Sequence, residues 1–253
     1  MLVQKNYSAE EFFSGRSLEI ARAIDAGNMD LVRKLAPGVD LAATGQKGMT
    51  LMWFAILRRN YPAVETLVAL GVDPDKQVAK GIGSALYLTM IPSKDPNDQT
   101  GIRLFRAMLD GGLSPNYKTK DDDILLQRVI GTGGSLAAVQ LLVERGADIN
   151  ARDGIGGTAL SDATLTKPDI ALYLVNHGAN INSFDVTGVS VTWSVYDELE
   201  DRGQEDPLRP KYEQLRDLMI QKGAKWPPDP PEVVRDRMRA QGLEPAVPPG
   251  QAR

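Results

Sequence analysis

QLLVERGADIN, residues 140–150, is a short helical run that Gly146 stops, followed by a tight turn that throws the backbone sideways. The shape recurs. The same glycine-centred stop stands at Gly38, Gly71, Gly112, Gly178 and Gly223, and successive stops are 33, 41, 34, 32 and 45 residues apart. Self-similarity at a period of this length marks a repeat architecture.

Three residues before the stops stand Leu35, Val68, Leu109, Val143, Val175 and Ile220. Seven before stand Leu31, Val64, Phe105, Val139, Ala171 and, as the one polar residue, Arg216. These offsets share one face of a helix. Each helix therefore carries an apolar stripe too narrow to bury itself, and burial is expected from neighbouring units.

A second pattern lies upstream of these helices. Residues 48–55 read GMTLMWFA and residues 156–163 read GGTALSDA, while GADIN is followed by Ala151, Arg152 and Asp153. These segments resemble the Gly-x-Thr-Pro-Leu-His-x-Ala opening and the closing turn of the ankyrin repeat. The resemblance spans residues 17–226 and implies an all-α solenoid of six helix-turn-helix units. The family's Pro and His are absent, their places taken by Leu51 and Trp53 in one unit and by Ala159 and Ser161 in another. In the family that His helps tie neighbouring loops, so its loss bears on the regularity of the stack.

The chain is expected to divide into a lead-in and cap at 1–16, repeats at 17–226, and a Pro-rich cap with a disordered tail at 227–253. In the lead-in, Ser8 and Glu11 have capping-box spacing, and Phe12 and Phe13 are placed to cover the open end of the first unit. Trp53 and Phe54 read as core. Two insertions, residues 91–101 and 198–211, read as exposed loops, the second acidic, and Gly131–Gly134 reads as a loose connection. After Trp226, Asp229 is expected to cap a last helix over residues 232–241, with Pro230 at its first position and Gly242 as its stop. Val234 and Met238 would then cover the sixth unit.

Composition removes whole classes of chemistry. The 253 residues contain no cysteine and one histidine, which excludes disulfides, thiol nucleophiles and a zinc pair. His177, immediately before Gly178, fits the end of a helix, where a donor meets unpaired carbonyls. Asp121, Asp122 and Asp123, and the acids Glu198, Glu200, Asp201, Glu205 and Asp206, lack the spacing of a calcium loop and read as solvated. GTGG at 131–134 lacks the Lys and Ser/Thr of a phosphate cradle. No cofactor, metal or catalytic residue is expected. Net charge is −4 with both signs interspersed, so neither nucleic acid nor an anionic membrane is indicated. The longest apolar run, residues 49–57, is too short to span a bilayer. The compartment reads as cytoplasmic for the chain as given, and periplasmic if a leader has been removed.

What remains is surface. An ankyrin-like stack implies a concave face built from turn tips and first helices. At those tips stand Lys47, Met49, Lys80, Tyr117, Lys118, Arg152, Phe184 and Asp185, with Arg58 at the end of a first helix. Aromatic residues, Met and Arg are enriched in protein interfaces. The expected activity is therefore non-catalytic binding of another protein by a chain that is monomeric when free. The segments YSAEEFFSG, ARAIDAG, GMTLMWFAI and GAKWPPDPP resemble small stand-alone bacterial ankyrin proteins encoded beside secreted effector enzymes. That resemblance implies an inhibitor or immunity-type role against such an enzyme. Two other readings stay open: a generic adaptor or regulatory subunit, and an enzyme using carboxylates in a pocket made by the two insertions.

Overall fold

The computed structural model describes residues 7–77, 83–91, 98–119 and 123–247. They form thirteen α-helices and no strand. The chain divides into two compact units, Met1–Ser114 and Pro115–Arg253. The first holds α1 (Gly15–Asp25), α2 (Met29–Leu35), α3 (Leu51–Leu57), α4 (Tyr61–Ala69), α5 (Ala85–Met90) and α6 (Thr100–Asp110). The second holds α7 (Leu125–Gly131), α8 (Leu136–Glu144), α9 (Ala159–Thr166), α10 (Pro168–Asn176), α11 (Val191–Asp201), α12 (Arg209–Gln221) and α13 (Pro231–Ala240).

Within each unit a helix packs on its pair mate and on its counterpart in the next repeat. First helices meet first helices, as in α7, α9 and α11, and second helices meet second, as in α2, α4 and α6. Side-chain caps start most first helices. Thr50, Ser84, Thr158 and Ser190 each accept the N–H three residues on and are themselves buried. Unit four has Ile124 at this position and no side-chain cap.

Five of the six glycine stops are alike. The N–H of Gly71, Gly112, Gly146, Gly178 and Gly223 reaches the carbonyl three residues back, and the next N–H reaches the carbonyl five back. All five have φ between +87° and +105°. This is the Schellman arrangement, which glycine adopts without a Cβ penalty. Gly38 differs: α2 ends at Leu35 with Ala36 as its cap, and Gly38 belongs to the turn beyond it.

One of the two expected rows of the buried stripe lies a residue away, at position four rather than three. The position four before each regular stop, Leu67, Met108, Leu142, Leu174 and Met219, is fully buried, as is position seven in Val64, Val139 and Ala171. Position three is mixed: Leu109 and Val175 are buried, Val68 and Val143 are half-buried, and Ile220 is exposed. A helix wedged between its pair mate and its successor buries the rows between the two contacts. Leu31 is exposed because the early end of α2 turns Val32 inward instead.

At the N-terminal side the Ser8–Glu11 capping box forms. Phe12 and Phe13 are buried edge-on to Phe54, at 6.5 and 5.6 Å, and Tyr7 packs on Phe12. Trp53 is only half-buried.

Five local expectations are corrected. Asp229 does not cap α13, which begins at Pro231 with Pro230 before it; Asp229 instead pairs with Lys225 and Arg237. Val234 and Met238 are buried as expected. The second insertion is helical at both ends, because α11 runs to Asp201 and α12 starts at Arg209. Between them Arg202 pairs with Glu198 and Asp206, and Arg209 donates to the Leu199 carbonyl at 2.9 Å. Of the first insertion, Thr100 and Gly101 belong to α6, and residues 92–97 lie outside the described residues. Gly131–Gly134 is a tight turn, since a Cβ on Gly134 would meet the Val129 carbonyl oxygen at 2.4 Å. The start of the tail is held too: the Ala246 N–H donates to the Val186 carbonyl at 2.7 Å, while residues 248–253 lie outside the described residues.

Candidate protein-binding face

The turn tips are built on one plan. The N–H of Gly45, Thr119, Asp153 and Asp185 each donates to the carbonyl four residues on, closing a five-residue loop. The last two loops are locked by a carboxylate. Asp153 Oδ1 accepts the N–H groups of Ile155 at 3.0 Å and Gly157 at 2.7 Å; Asp185 Oδ1 accepts those of Thr187 and Val189 and the Thr187 hydroxyl. Short Asx side chains stiffen the tips here without any strand. Isolated bridges join Lys118 to Ile124, Arg152 to Thr158 and Phe184 to Ser190.

Asparagine ties one tip to the next. Asn116 Nδ2 donates to the Gly146 carbonyl while its Oδ1 accepts the Asp148 N–H, and Asn150 repeats both bonds with Gly178 and Asn180. This ladder does the loop-tying that the missing His suggested would be lost. A further backbone bond runs from the Val186 N–H to the Ile155 carbonyl.

The expected face residues fall into three groups. In the first unit, Lys47 pairs with Glu11 at 3.3 Å and lies over the Phe12 ring. Arg58 pairs with Asp25 at 2.7 Å and donates to the Tyr7 carbonyl. Both hold the lead-in, and Met49 is half-buried beside them in the sequence. Lys80 lies outside the described residues. In the second unit, Tyr117, Lys118, Arg152, Phe184 and Asp185 sit on or next to the tips. The Arg152 guanidinium lies 5.7 Å from the centre of the Phe184 ring. Phe184 also lines a cleft of about 180 Å³ with Val234 and Met238 of α13. Asp185 is a lock for its own loop.

Residues not anticipated complete the surface of the second unit. Ile155 is 61% exposed at the summit of its tip. Trp193, Tyr196 and Trp226 form a row with ring centres 5.3 and 5.8 Å apart. The signal for Trp193 was readable: the place of the family's His, three residues after the cap, holds Trp53, Tyr87, Gln127, Ser161 and Trp193 in successive units. Behind the tips, Gln127 Nε2 donates to Asp153 Oδ2 at 3.2 Å. Asp162, in the first turn of α9, is pushed up from 3.8 to about 6 by burial and by the Asp153 charge, against a hydrogen bond from Gln127. His177 ends α10 with Nδ1 2.8 Å from the Tyr173 carbonyl and its ring stacked on Tyr173. Among the described residues no cluster of His, Asp or Glu has the form of a metal site, and no helix is long and apolar enough to cross a membrane.

No family model and no curated protein matches the chain. Solved structures do. The ankyrin repeat domain of Bcl-3, a member of the IkappaB protein family, is 25% identical with a TM-score of 0.57, over 85% of this chain and 92% of that one. An ankyrin repeat domain from Acinetobacter baumannii AYE is 20% identical with a TM-score of 0.54, over 81% and 98% of the two chains. The ankyrin repeat protein EF0377 is 17% identical with a TM-score of 0.53, over 82% and 99%. The paired helices, the Schellman stops, the stiffened tips and these likenesses agree, and the chain has the ankyrin-repeat fold.

Proposed function

We propose that the chain is a non-catalytic protein-binding module and that the tips of its second unit, with the first-helix positions behind them, carry the contact. The observation that supports this most is the pairing of exposed recognition side chains with rigid loops. Arg152 and Ile155 ride on a turn locked by Asp153, so little conformational entropy is lost when they are buried against a partner. The fold is one that generally serves protein interaction.

The finer reading is that the partner is a bacterial effector enzyme and the chain neutralises it. It rests on the sequence resemblance of YSAEEFFSG, ARAIDAG, GMTLMWFAI and GAKWPPDPP to stand-alone bacterial ankyrin proteins. The test is capture of partners by the recombinant chain from cells of its source, followed by titration of the purified partner. A triple variant Tyr117→Ala, Arg152→Ala, Ile155→Ser is expected to melt like the parent and to bind at least about tenfold more weakly. Unchanged affinity would move the contact off these tips. A captured enzyme whose activity is unaffected by the chain would remove the neutralising role and leave the adaptor reading.

A further inference from the structure

Phe184, half-buried on the last tip, and Val234 and Met238, buried on α13, form the apolar part of the cleft of about 180 Å³. A small-molecule site takes roughly 300 Å³ or more, so this volume suits one side chain rather than a metabolite. The cleft is continuous with the proposed contact. Its Phe184 ring is the one beside which the Arg152 guanidinium lies, 5.7 Å from the ring centre. The backbone bridge from Phe184 to Ser190 and the carboxylate lock of Asp185 hold this wall in place before anything binds.

The rim is cationic, in a chain whose net charge is −4. Lys225 and Arg237 both line the cleft and both pair with Asp229, which among the described residues is the one acid in the lining, so one positive charge is left over. Arg152 adds a second. It is exposed, and apart from the Phe184 ring its guanidinium has no hydrogen bond or ion pair among the described residues. Asp185, on the same tip as Phe184, spends Oδ1 on its own loop. Arg235, buried against Gly188 of that tip, donates to the Thr187 carbonyl and pairs with no described carboxylate. A guanidinium resting on a ring keeps the donors at its edge, and their fork matches a carboxylate.

We propose that this cleft seats one apolar side chain of the bound protein, of leucine or phenylalanine size, from a segment whose flanking residues are acidic, one of them taken by Arg152. This rests on the protein-binding reading above. Binding energy concentrates where an apolar anchor fills a pocket inside a polar rim, and the sign of that rim selects the anchor's neighbours. A segment with basic flanks would set like charges against Arg152, Lys225 and Arg237. A bare anion would satisfy those cations and leave Phe184, Val234 and Met238 uncovered.

The test uses the full chain and three probes, acetyl-Glu-Phe-Glu-amide, acetyl-Lys-Phe-Lys-amide and acetyl-Glu-Ala-Glu-amide, read by NMR at the methyl groups of Val234 and Met238. The first is expected to shift both residues and to bind at least about tenfold more tightly than either of the others, with an affinity that falls as salt is raised. In Gln241→Trp, which places an indole on an exposed position of the lining, the response is expected to disappear. In Arg152→Gln, which removes the charge from an exposed side chain, the preference for glutamate over lysine is expected to shrink at least about threefold at an unchanged melting temperature. Lys225→Glu, also exposed, serves as second variant with the same expectation. Equal binding of the glutamate and lysine peptides, equal binding of the alanine peptide, or an undiminished response in Gln241→Trp overturns the proposal. A purified partner that binds Gln241→Trp as tightly as the parent, yet loses affinity in the triple variant of the tips, overturns the cleft and leaves the tip contact standing.

Discussion

Arg235 Nη1 donates to the Thr187 carbonyl at 3.0 Å, across 48 residues of chain. The side chain is buried, and it fastens α13 onto the tip that Asp185 locks. Gly188 lets the two approach: with φ at +81°, a Cβ there would sit 2.7 Å from the Pro231 carbonyl oxygen.

Gly188→Ala is therefore expected to destabilise the second unit by about 1–3 kcal/mol, combining a left-handed backbone with a backbone clash. Truncation after Trp226 uncovers the faces that Val234 and Met238 bury, worth about 3–5 kcal/mol before ordering entropy is subtracted. Both changes are expected to lower the melting temperature and to raise hydrogen exchange in α11 and α12 first, because repeat stability is local. Uniform protection in the truncated chain would show that α13 covers nothing of consequence.

Asn150→Ala removes two bonds between successive tips, the one to the Gly178 carbonyl and the one from the Asn180 N–H. A loss of about 1–2 kcal/mol in urea unfolding is expected, and Asn116→Ala is expected to match it. No loss in either would mean that water replaces the ladder without cost.

The Asp162 carboxyl gives the stability a pH dependence of definite sign. Its folded-state value, about 6, lies above the unfolded 3.8. Its contribution is thus fully present below 3.8 and disappears as pH rises through 6. A shift of that size corresponds to about 3 kcal/mol at most, which partial exposure reduces to about 1–2 kcal/mol. Against the parent, Asp162→Asn is expected to flatten the stability profile between pH 4 and pH 7. Parallel profiles for the two proteins would contradict the assignment.

Arg202→Met leaves Glu198 and Asp206 without their shared cation and removes the guanidinium 4.7 Å from the centre of the buried Tyr212 ring. A cost of about 2–4 kcal/mol is expected from uncompensated, partly buried charge. Chemical denaturation measures it. A neutral result would show that the α11–α12 connection is held by Arg209 alone.

The repeat, its helix pairs and its stops were legible because glycine in a left-handed turn after an apolar helix has few other uses. One of the two buried rows, at position three, was misplaced by one residue, because counting back from Gly146 gives a face but not the direction of the neighbouring helix. Arg202 could not be recognised as a clasp inside an acidic insertion, since its meaning depends on Tyr212 folding beneath it. The face was read by residue type alone. That picked out Arg152 and Tyr117, which sit at the tips, and equally Lys47 and Arg58, which the lead-in occupies, and Asp185, which its own loop consumes. Gln127 was invisible, because a lone amide in a helix acquires significance only when Asp153 arrives from the following unit.

The Ala246 N–H on the Val186 carbonyl repeats, at the end of the row, the bond that Val186 itself makes to Ile155. An open carbonyl at that summit is a place where the backbone of a second molecule can add, copy upon copy. Here the Ala246 N–H occupies the position, so the Val186 carbonyl is closed to another backbone. A second molecule could add at this tip only by first displacing the segment that follows α13.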